Sequence, residues 1–256
     1  MRYFRLSLTI LFTIVPALVI SQQPSKKELR KQVREYRIAH EQELFDELVE
    51  WLYIPNVAND QLNIRKCAAW LKSAMERRGI TAKILETGGS PVVYGELNVP
   101  GANRTIMFYS HYDGQPVDPT KWIDMEPFTP TLRPGKMEAG STEPKPIPLP
   151  KKGEKINEEW RLYARSASDD KSPITALLAA IDAVKSAGLN FGANVRFIYE
   201  GEEEAGSPFL QSFAEKNRSL FKTEVLYVCD GPMYFNNQPT LKFGARGITT
   251  IDITVY

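Results

Sequence analysis

Residues 105–116 read TIMFYSHYDGQP, a mostly apolar run that leads into a histidine, an aspartate and a turn. A short uninterrupted apolar run with aromatic and β-branched residues is typical of a buried β-strand. The run therefore predicts a core strand that carries His111 at its carboxyl end, with Asp113 two residues beyond it.

Apolar runs and helical patterns alternate on both sides of this strand. Strands are predicted over 80–86, 92–97, 195–199 and 224–228, and helices over 25–54, 61–78 and 171–189. This alternation favours an α/β fold in which a mostly parallel sheet is flanked by helices. In such a sheet, ligands bind beyond the carboxyl ends of the strands.

Acidic residues are concentrated at those predicted strand ends. Asp113 follows the first core strand, Glu200 to Glu204 follow the strand over 195–199, and Asp230 follows the last strand. A further pair, Asp169 and Asp170, precedes the long helix. Carboxylates held this closely repel one another unless cations neutralise them, so one or two divalent metal ions are predicted here. The alternative is a solvated acidic rim that binds no metal.

Composition narrows the kind of protein and the kind of metal site. The chain has 32 Lys+Arg against 31 Asp+Glu and 43% hydrophobic residues, which gives no reason to expect a nucleic-acid partner and excludes a disordered or fibrous protein. Its only cysteines are Cys67 and Cys229, and its only histidines are His40 and His111. Any metal site must therefore be rich in carboxylates. Both cysteines are predicted to be buried thiols, and His40 a solvated residue within the first helix.

The N-terminus has the pattern of a secretory signal peptide. Arg2 and Arg5 precede the apolar run Leu6 to Ile20, which ends at the small residue Ser21. The run is shorter than the roughly 20 residues that a membrane-spanning helix needs. We expect residues 1–21 to be removed and the mature protein to be secreted or periplasmic, without a stable membrane anchor. The alternative is an uncleaved N-terminal anchor.

Four motifs carry a resemblance to a known family. They are His111-x-Asp113-x-x-Pro116, Asp169-Asp170-Lys171, Glu203-Glu204-x-Gly206-Ser207 and the strand-end Asp230. In this order they resemble the co-catalytic zinc hydrolases that include acetylornithine deacetylase, succinyl-diaminopimelate desuccinylase, glutamate carboxypeptidase and the carnosinase-type dipeptidases. The resemblance covers roughly residues 40–256 and is closer to the dipeptidases. It implies a zinc-exopeptidase-like catalytic domain over 22–238 and, over 239–256, the first strand of an α+β lid and dimerisation domain.

The resemblance also implies a role for each site residue. The ligands that it implies for two divalent ions are His111, Asp169, Glu204 and Asp230. Asp169 would bridge the two ions, with zinc as the metal and manganese or cobalt as alternatives. Asp113 would orient the imidazole of His111, and Glu203 would be the general base that activates a hydroxide held between the metals. Asp170 is the alternative to Asp169, with helix capping as its other possible role.

The implied activity is hydrolysis of amide bonds in small substrates. A dipeptidase or carboxypeptidase is expected, acting on a small peptide and forming a homodimer through the lid domain. One alternative is a deacylase of N-acyl amino acids. The other is a truncated, non-catalytic homologue that acts as a binding protein.

The sequence departs from the family pattern in three places. Ala164-Arg165-Ser166 stands where the family has Gly-Arg-Gly, which restricts any backbone that needs a positive φ. Residues 129–160 contain six prolines and are interpreted as a surface insertion without regular structure. No histidine follows His111, although the family takes its last ligand from one. We therefore expect the 256 residues to be the N-terminal part of a longer polypeptide, the alternative being a shortened homologue that binds metal poorly.

Overall fold

The computed structural model of the chain describes residues 24–231, 233, 238, 240–244, 247, 251 and 253–255. The predicted signal peptide, residues 1–21, lies outside the described residues, and so do eight of the 18 residues of the predicted lid strand over 239–256. None of the described helices combines the length and the apolar character needed to cross a bilayer.

Helices form where polar caps precede apolar periodicity. In the described residues they are α1 (Lys26–Ala39), α2 (Glu41–Leu52), α3 (Gln61–Arg77), α4 (Lys171–Ser186) and α5 (Leu210–Lys216). Ser25 accepts the backbone N–H of Glu28 and so begins α1, and Asp60 accepts that of Asn63 and begins α3. These starts agree with the sequence prediction.

The single helix predicted over 25–54 is wrong, because the helix divides at His40. The ring of His40 stacks on Tyr36 at 4.1 Å, and its Nδ1 lies 2.8 Å from Glu43 Oε2. Backbone hydrogen bonds of helical spacing continue across the division, from His40 to Tyr36 and from Leu44 to His40. The spacing of the apolar residues therefore stays helical through His40, and the sequence does not indicate the break.

The described residues form the strands β1 (Thr81–Leu85), β2 (Val92–Leu97), β3 (Thr105–His111), β4 (Thr131–Arg133), β5 (Arg161–Tyr163), β6 (Asn194–Glu200) and β7 (Val225–Val228). Five of them make the central sheet, in the order β1-β2-β6-β3-β7, and β4 and β5 make a separate pair. Pairing is parallel for β6–β3 and β3–β7, and antiparallel for β1–β2 and β2–β6. The expected α/β fold is confirmed, but the sheet is mixed because a short turn reverses the chain between β1 and β2. The three strands that lead into the acidic segments are the mutually parallel ones.

Both faces of the sheet are covered by helices. One face packs against α3 and α4 in a cluster that includes Trp51, Leu71 and Phe197, and the other packs Ile198 against Phe213 of α5. Cys67 is buried in the first cluster, as predicted. Cys229 is only partly buried, contrary to expectation, because it follows the edge strand β7, whose residues are exposed.

The proline-rich segment is more ordered than the sequence indicates. Its strand β4 pairs with β5, so the expectation of no regular structure is wrong for 131–133. Arg133 is fully buried, and its guanidinium donates to the carbonyls of Pro144 at 2.6 Å and Thr142 at 3.3 Å. Backbone carbonyls around one buried cation thus tie two parts of this segment to each other.

Glu47 links three of the helices. It accepts from Arg78 at 2.6 Å, and Arg78 also pairs with Asp182 of α4 at 2.7 Å. Burial raises the pKa of Glu47, but the hydrogen bonds and charges of Arg78 and Arg77 outweigh it and leave the pKa below its usual value. The pair therefore stabilises the fold above the unfolded-state pKa, and this contribution is lost as the pH falls through the folded-state pKa.

We expect Glu47→Gln to lower the free energy of unfolding by about 1–3 kcal/mol at pH 7, the value of a hydrogen bond to a charged group. Urea unfolding at a series of falling pH values measures this, and the difference from the wild type should shrink as the pH falls through the folded-state pKa of Glu47. Glu35→Gln is the control, since Glu35 makes an exposed pair with Lys31. An equal loss at every pH value would contradict the ionic role of Glu47.

Candidate metal centre

Three potential metal ligands converge where the parallel strands end. His111 ends β3, and its Nε2 lies 2.9 Å from Asp169 Oδ1 and 3.9 Å from Asp230 Oδ2. One ligand atom from each of the three side chains lies within 4.8 Å of the others. No other three histidine, cysteine or acidic residues come together in this way within the described ranges. The parallel register places His111 opposite Glu200 and so aligns these strand ends at one edge.

The electrostatics of the cluster favour a cation. His111 is 1% exposed, whereas the Asp169 side chain is 64% exposed, so the carboxylate side faces solvent. Burial alone would lower the pKa of His111, but the hydrogen bond and charge of Asp113, with the charges of Asp170 and Glu203, raise it to about 10. An imidazole nitrogen with two carboxylate oxygens is a donor set that suits a divalent ion. The residues present therefore fit one metal.

Asp113 touches both His111 and the loop after β6. Its Oδ1 lies 3.4 Å from His111 Nδ1, the ring nitrogen on the side away from Asp169. Its two carboxylate oxygens also accept the backbone N–H groups of Glu203 and Glu204, each at 3.1 Å. The hydrogen bond of His111 Nδ1 goes to the backbone carbonyl of Asp113, at 3.1 Å, so the carboxylate lies beside the imidazole but is not its nearest acceptor. The hydrogen bonds from Asp113 to the backbone of Glu203 and Glu204 could not be predicted from the spacing of residues in the sequence.

The two adjacent glutamates lie differently with respect to the cluster. They begin the 3₁₀ turn Glu203–Ala205. Glu203 Oε2 is 3.9 Å from His111 Nε2, whereas Glu204 makes no such ion pair with His111 among the described residues; neither glutamate belongs to the group of three ligands. Burial, together with the charges of Asp230 and Glu204, raises the pKa of Glu203 above its usual value. Of the six predicted site residues, the structure therefore brings together all except the Glu204 carboxylate.

Asp170 is turned towards β3. It occupies the N-cap position of α4, but its side chain makes no capping hydrogen bond, so the capping alternative is wrong. Its Oδ2 instead accepts the backbone N–H of His111 at 3.4 Å. Burial is the main cause that raises the pKa of Asp170 to about 7. Asp170 is buried and its neighbour Asp169 is exposed, so only the Asp169 carboxylate faces solvent.

Lys171 anchors the start of α4 and has a role that sequence reasoning missed. It is fully buried, and its Nζ donates to the carbonyls of Trp51 at 2.9 Å and Ile54 at 3.0 Å. Burial lowers its pKa. The lysine lies directly after Asp169 and Asp170, so it ties the segment that carries them to the end of α2.

We expect Lys171→Met to lower the free energy of unfolding by about 2–4 kcal/mol, because the carbonyls of Trp51 and Ile54 each lose a charged donor. Chemical denaturation measures this loss. Lys72→Met is the matched control, since Lys72 makes a surface pair with Glu76 on the same helix and should cost less than about 0.5 kcal/mol. A loss no larger than that of Lys72→Met would rule out the anchor.

Comparison with known proteins agrees with the fold and the motifs. Residues 144–251 match the family model described as Peptidase family M20/M25/M40. The Cys-Gly metallodipeptidase dug1 of Schizosaccharomyces pombe is 28% identical over 167 residues, which cover 64% of this chain and 30% of that protein. The human Beta-Ala-His dipeptidase is 25% identical over 258 residues, which cover 94% of this chain and 46% of that protein.

A solved structure shows the same architecture. The M20 family metallo-carboxypeptidase Sso-CP2 from Sulfolobus solfataricus superposes with a TM-score of 0.60 and 32% identity, over 77% of this chain and 39% of that protein. The chain spans less than half the length of each of these three relatives. The resemblance inferred from the four motifs is confirmed. The match of residues 144–251 to the family model, the named relatives and the shared fold all make the chain similar to peptidase family M20/M25/M40.

Proposed function

We propose that the protein to which this sequence belongs hydrolyses small peptides, dipeptides above all, with the help of divalent metal. The observation that carries the proposal is the convergence of His111, Asp169 and Asp230, with Glu203 beside them. Relatives named as Cys-Gly and Beta-Ala-His dipeptidases support a dipeptide substrate.

The proposed metal content is two divalent ions, zinc before manganese or cobalt. His111, Asp169 and Asp230 would hold one ion, while Asp169 and Glu204 would contribute to the second. The high exposure of the Asp169 carboxylate supports a bridging role, because it leaves room for a second ion. A bound divalent metal polarises the substrate carbonyl and lowers the pKa of water.

The side chains supply the proton transfers. Glu203 takes a proton from the attacking water as the water oxygen bonds to the carbonyl carbon, and it passes that proton to the leaving nitrogen as the C–N bond breaks. Burial raises the pKa of Glu203 towards neutral pH, which suits a group that first takes up a proton and then delivers it. Asp113 fixes the backbone of Glu203 and thereby the direction of this carboxylate.

The test is hydrolysis of Cys-Gly, β-Ala-His and an N-acetyl amino acid by the longest polypeptide that the gene encodes. We expect dipeptide cleavage to stop after chelator dialysis and to return with zinc. His111→Ala should abolish cleavage, while His40→Ala, at the α1–α2 junction, should leave it intact. Preferential cleavage of the N-acetyl substrate would indicate the deacylase, and binding without cleavage of any substrate would indicate a binding protein.

We also propose export, a longer polypeptide and a homodimer. Export is supported by the pattern of Arg2, Arg5 and the apolar run up to Ser21. The longer polypeptide is supported by the greater length of the relatives, and the homodimer by the family resemblance alone. Mass spectrometry of the mature N-terminus, sequencing of the full transcript and analytical ultracentrifugation test the three in turn.

A further inference from the structure

The connection between α2 and α3 contacts both loops that lead to metal ligands. Asn56, in this connection, is fully buried. Its Nδ2 donates to the backbone carbonyl of Tyr112 at 2.6 Å and to Ser166 Oγ at 2.8 Å. Its own backbone carbonyl accepts the N–H of Gly114 at 2.9 Å. One residue thus makes three hydrogen bonds to two separate loops.

Each bond is close in sequence to a residue of the candidate centre. Tyr112 lies between His111 and Asp113, and Gly114 follows Asp113. On the other loop, Ser166 lies three residues before Asp169, and its carbonyl accepts the N–H of Lys171 at 3.1 Å. Asn56 therefore fixes the His111 loop and the Asp169 loop relative to each other.

The backbone of Ser166 shows how specific this junction is. Ser166 has φ of 63°, in the left-handed region that costs a non-glycine residue energy. This is one of the positions where the family resemblance would place glycine. Here the serine hydroxyl accepts the Asn56 amide, and the two loops are so close that a Cβ on Gly114 would collide with that hydroxyl. The departure from the glycine pattern thus coincides with a contact to Asn56 that glycine could not make.

We infer that Asn56 is a positioning residue, which sets the separation of His111 and Asp169 and so tunes metal affinity without touching the metal. The inference rests on the proposed function for its metal-binding consequence. An asparagine amide can donate to both acceptors at once. Aspartate has the same shape but no N–H donor. Its negative carboxylate would face the carbonyl oxygen of Tyr112, which carries a partial negative charge, and the two would repel.

The experiment compares Asn56→Asp and Asn56→Ala with the wild type. Asn217→Asp and Asn217→Ala are matched controls, because Asn217 Nδ2 donates to the Phe213 carbonyl at 2.9 Å at the end of α5. The first readout is amide hydrogen exchange of Gly114 and Lys171 in metal-free protein. The second is zinc affinity, with the visible spectrum of the cobalt form as a report on ligand geometry.

We expect exchange at Gly114 and Lys171 to accelerate by about tenfold in the Asn56 variants. Zinc affinity should fall by about 10- to 100-fold, the range for residues that orient metal ligands, and the cobalt spectrum should change. The Asn217 variants should match the wild type in all three. If neither Asn56 variant folds, Ser166→Ala removes a single acceptor and should show the same changes, smaller in size.

Unchanged exchange, affinity and cobalt spectrum in a folded Asn56 variant would overturn the inference and leave the proposed function standing. A wild-type protein that binds neither zinc nor cobalt would overturn the proposed function. It would overturn the metal-tuning role of Asn56 as well, even if hydrogen exchange still showed that Asn56 joins the loops.

Discussion

Replacing Glu203 with glutamine is expected to lower kcat for dipeptide hydrolysis by about 100- to 10,000-fold, the usual contribution of a general base. Glutamine keeps the shape of the side chain and cannot accept the proton of the attacking water. In the wild type, Glu203 Oε2 is 3.9 Å from His111 Nε2. Glu203 is therefore close to the proposed metal without belonging to the group of three ligands. Bound metal should therefore remain at the wild-type stoichiometry.

Steady-state kinetics and metal analysis of the same sample measure the two parts of this prediction. Glu215→Gln is the control, because Glu215 lies on the exposed side of α5 and contacts only Gln211 among the described side-chain hydrogen bonds. Normal turnover by Glu203→Gln would eliminate Glu203 as the base. Loss of activity together with loss of metal would make it a ligand instead.

Asp169→Asn is expected to weaken metal binding by more than about 100-fold, the upper end of what loss of an orienting residue costs. The substitution removes the charge from a carboxylate that lies 2.9 Å from His111 Nε2 and would serve both proposed ions. Asp170→Asn should weaken binding less, because the Asp170 carboxylate is buried against the His111 backbone, and its pKa of about 7 leaves it partly neutral.

Zinc titration by isothermal calorimetry compares the two variants. Asp118→Asn is the control, since Asp118 caps the short turn that begins at Pro119, where asparagine caps equally well, and its ion pair with Lys121 is exposed. If Asp170→Asn loses the metal and Asp169→Asn keeps it, the ligand is Asp170.

Much of the candidate centre could be predicted because parallel strands end at one edge. His111 ends β3 and Asp230 follows β7, and these strands are neighbours in the sheet, so the convergence of the two residues requires only the strand assignment. Asp169 does not follow a strand, and its place came from the family resemblance. Asn56 gave no signal, because its bonds to Tyr112 and Ser166 span 56 and 110 residues and follow no period.

The fold was predicted where local patterns determine it. The apolar period predicted a helix over 61–78 and the burial of Cys67, and the structure has α3 over Gln61–Arg77 with Cys67 buried. The division at His40 was missed because helical hydrogen bonding continues across it. The burial of Arg133 was missed because its partners are backbone carbonyls, which no side-chain pattern shows.

Anomalous diffraction from crystals soaked in zinc tests the central claim most directly. We expect a peak about 2.0–2.2 Å from His111 Nε2 and from carboxylate oxygens of Asp169 and Asp230. No peak among these three side chains at saturating zinc, with His111 still hydrogen-bonded to Asp169, would contradict the claim that they form a metal centre.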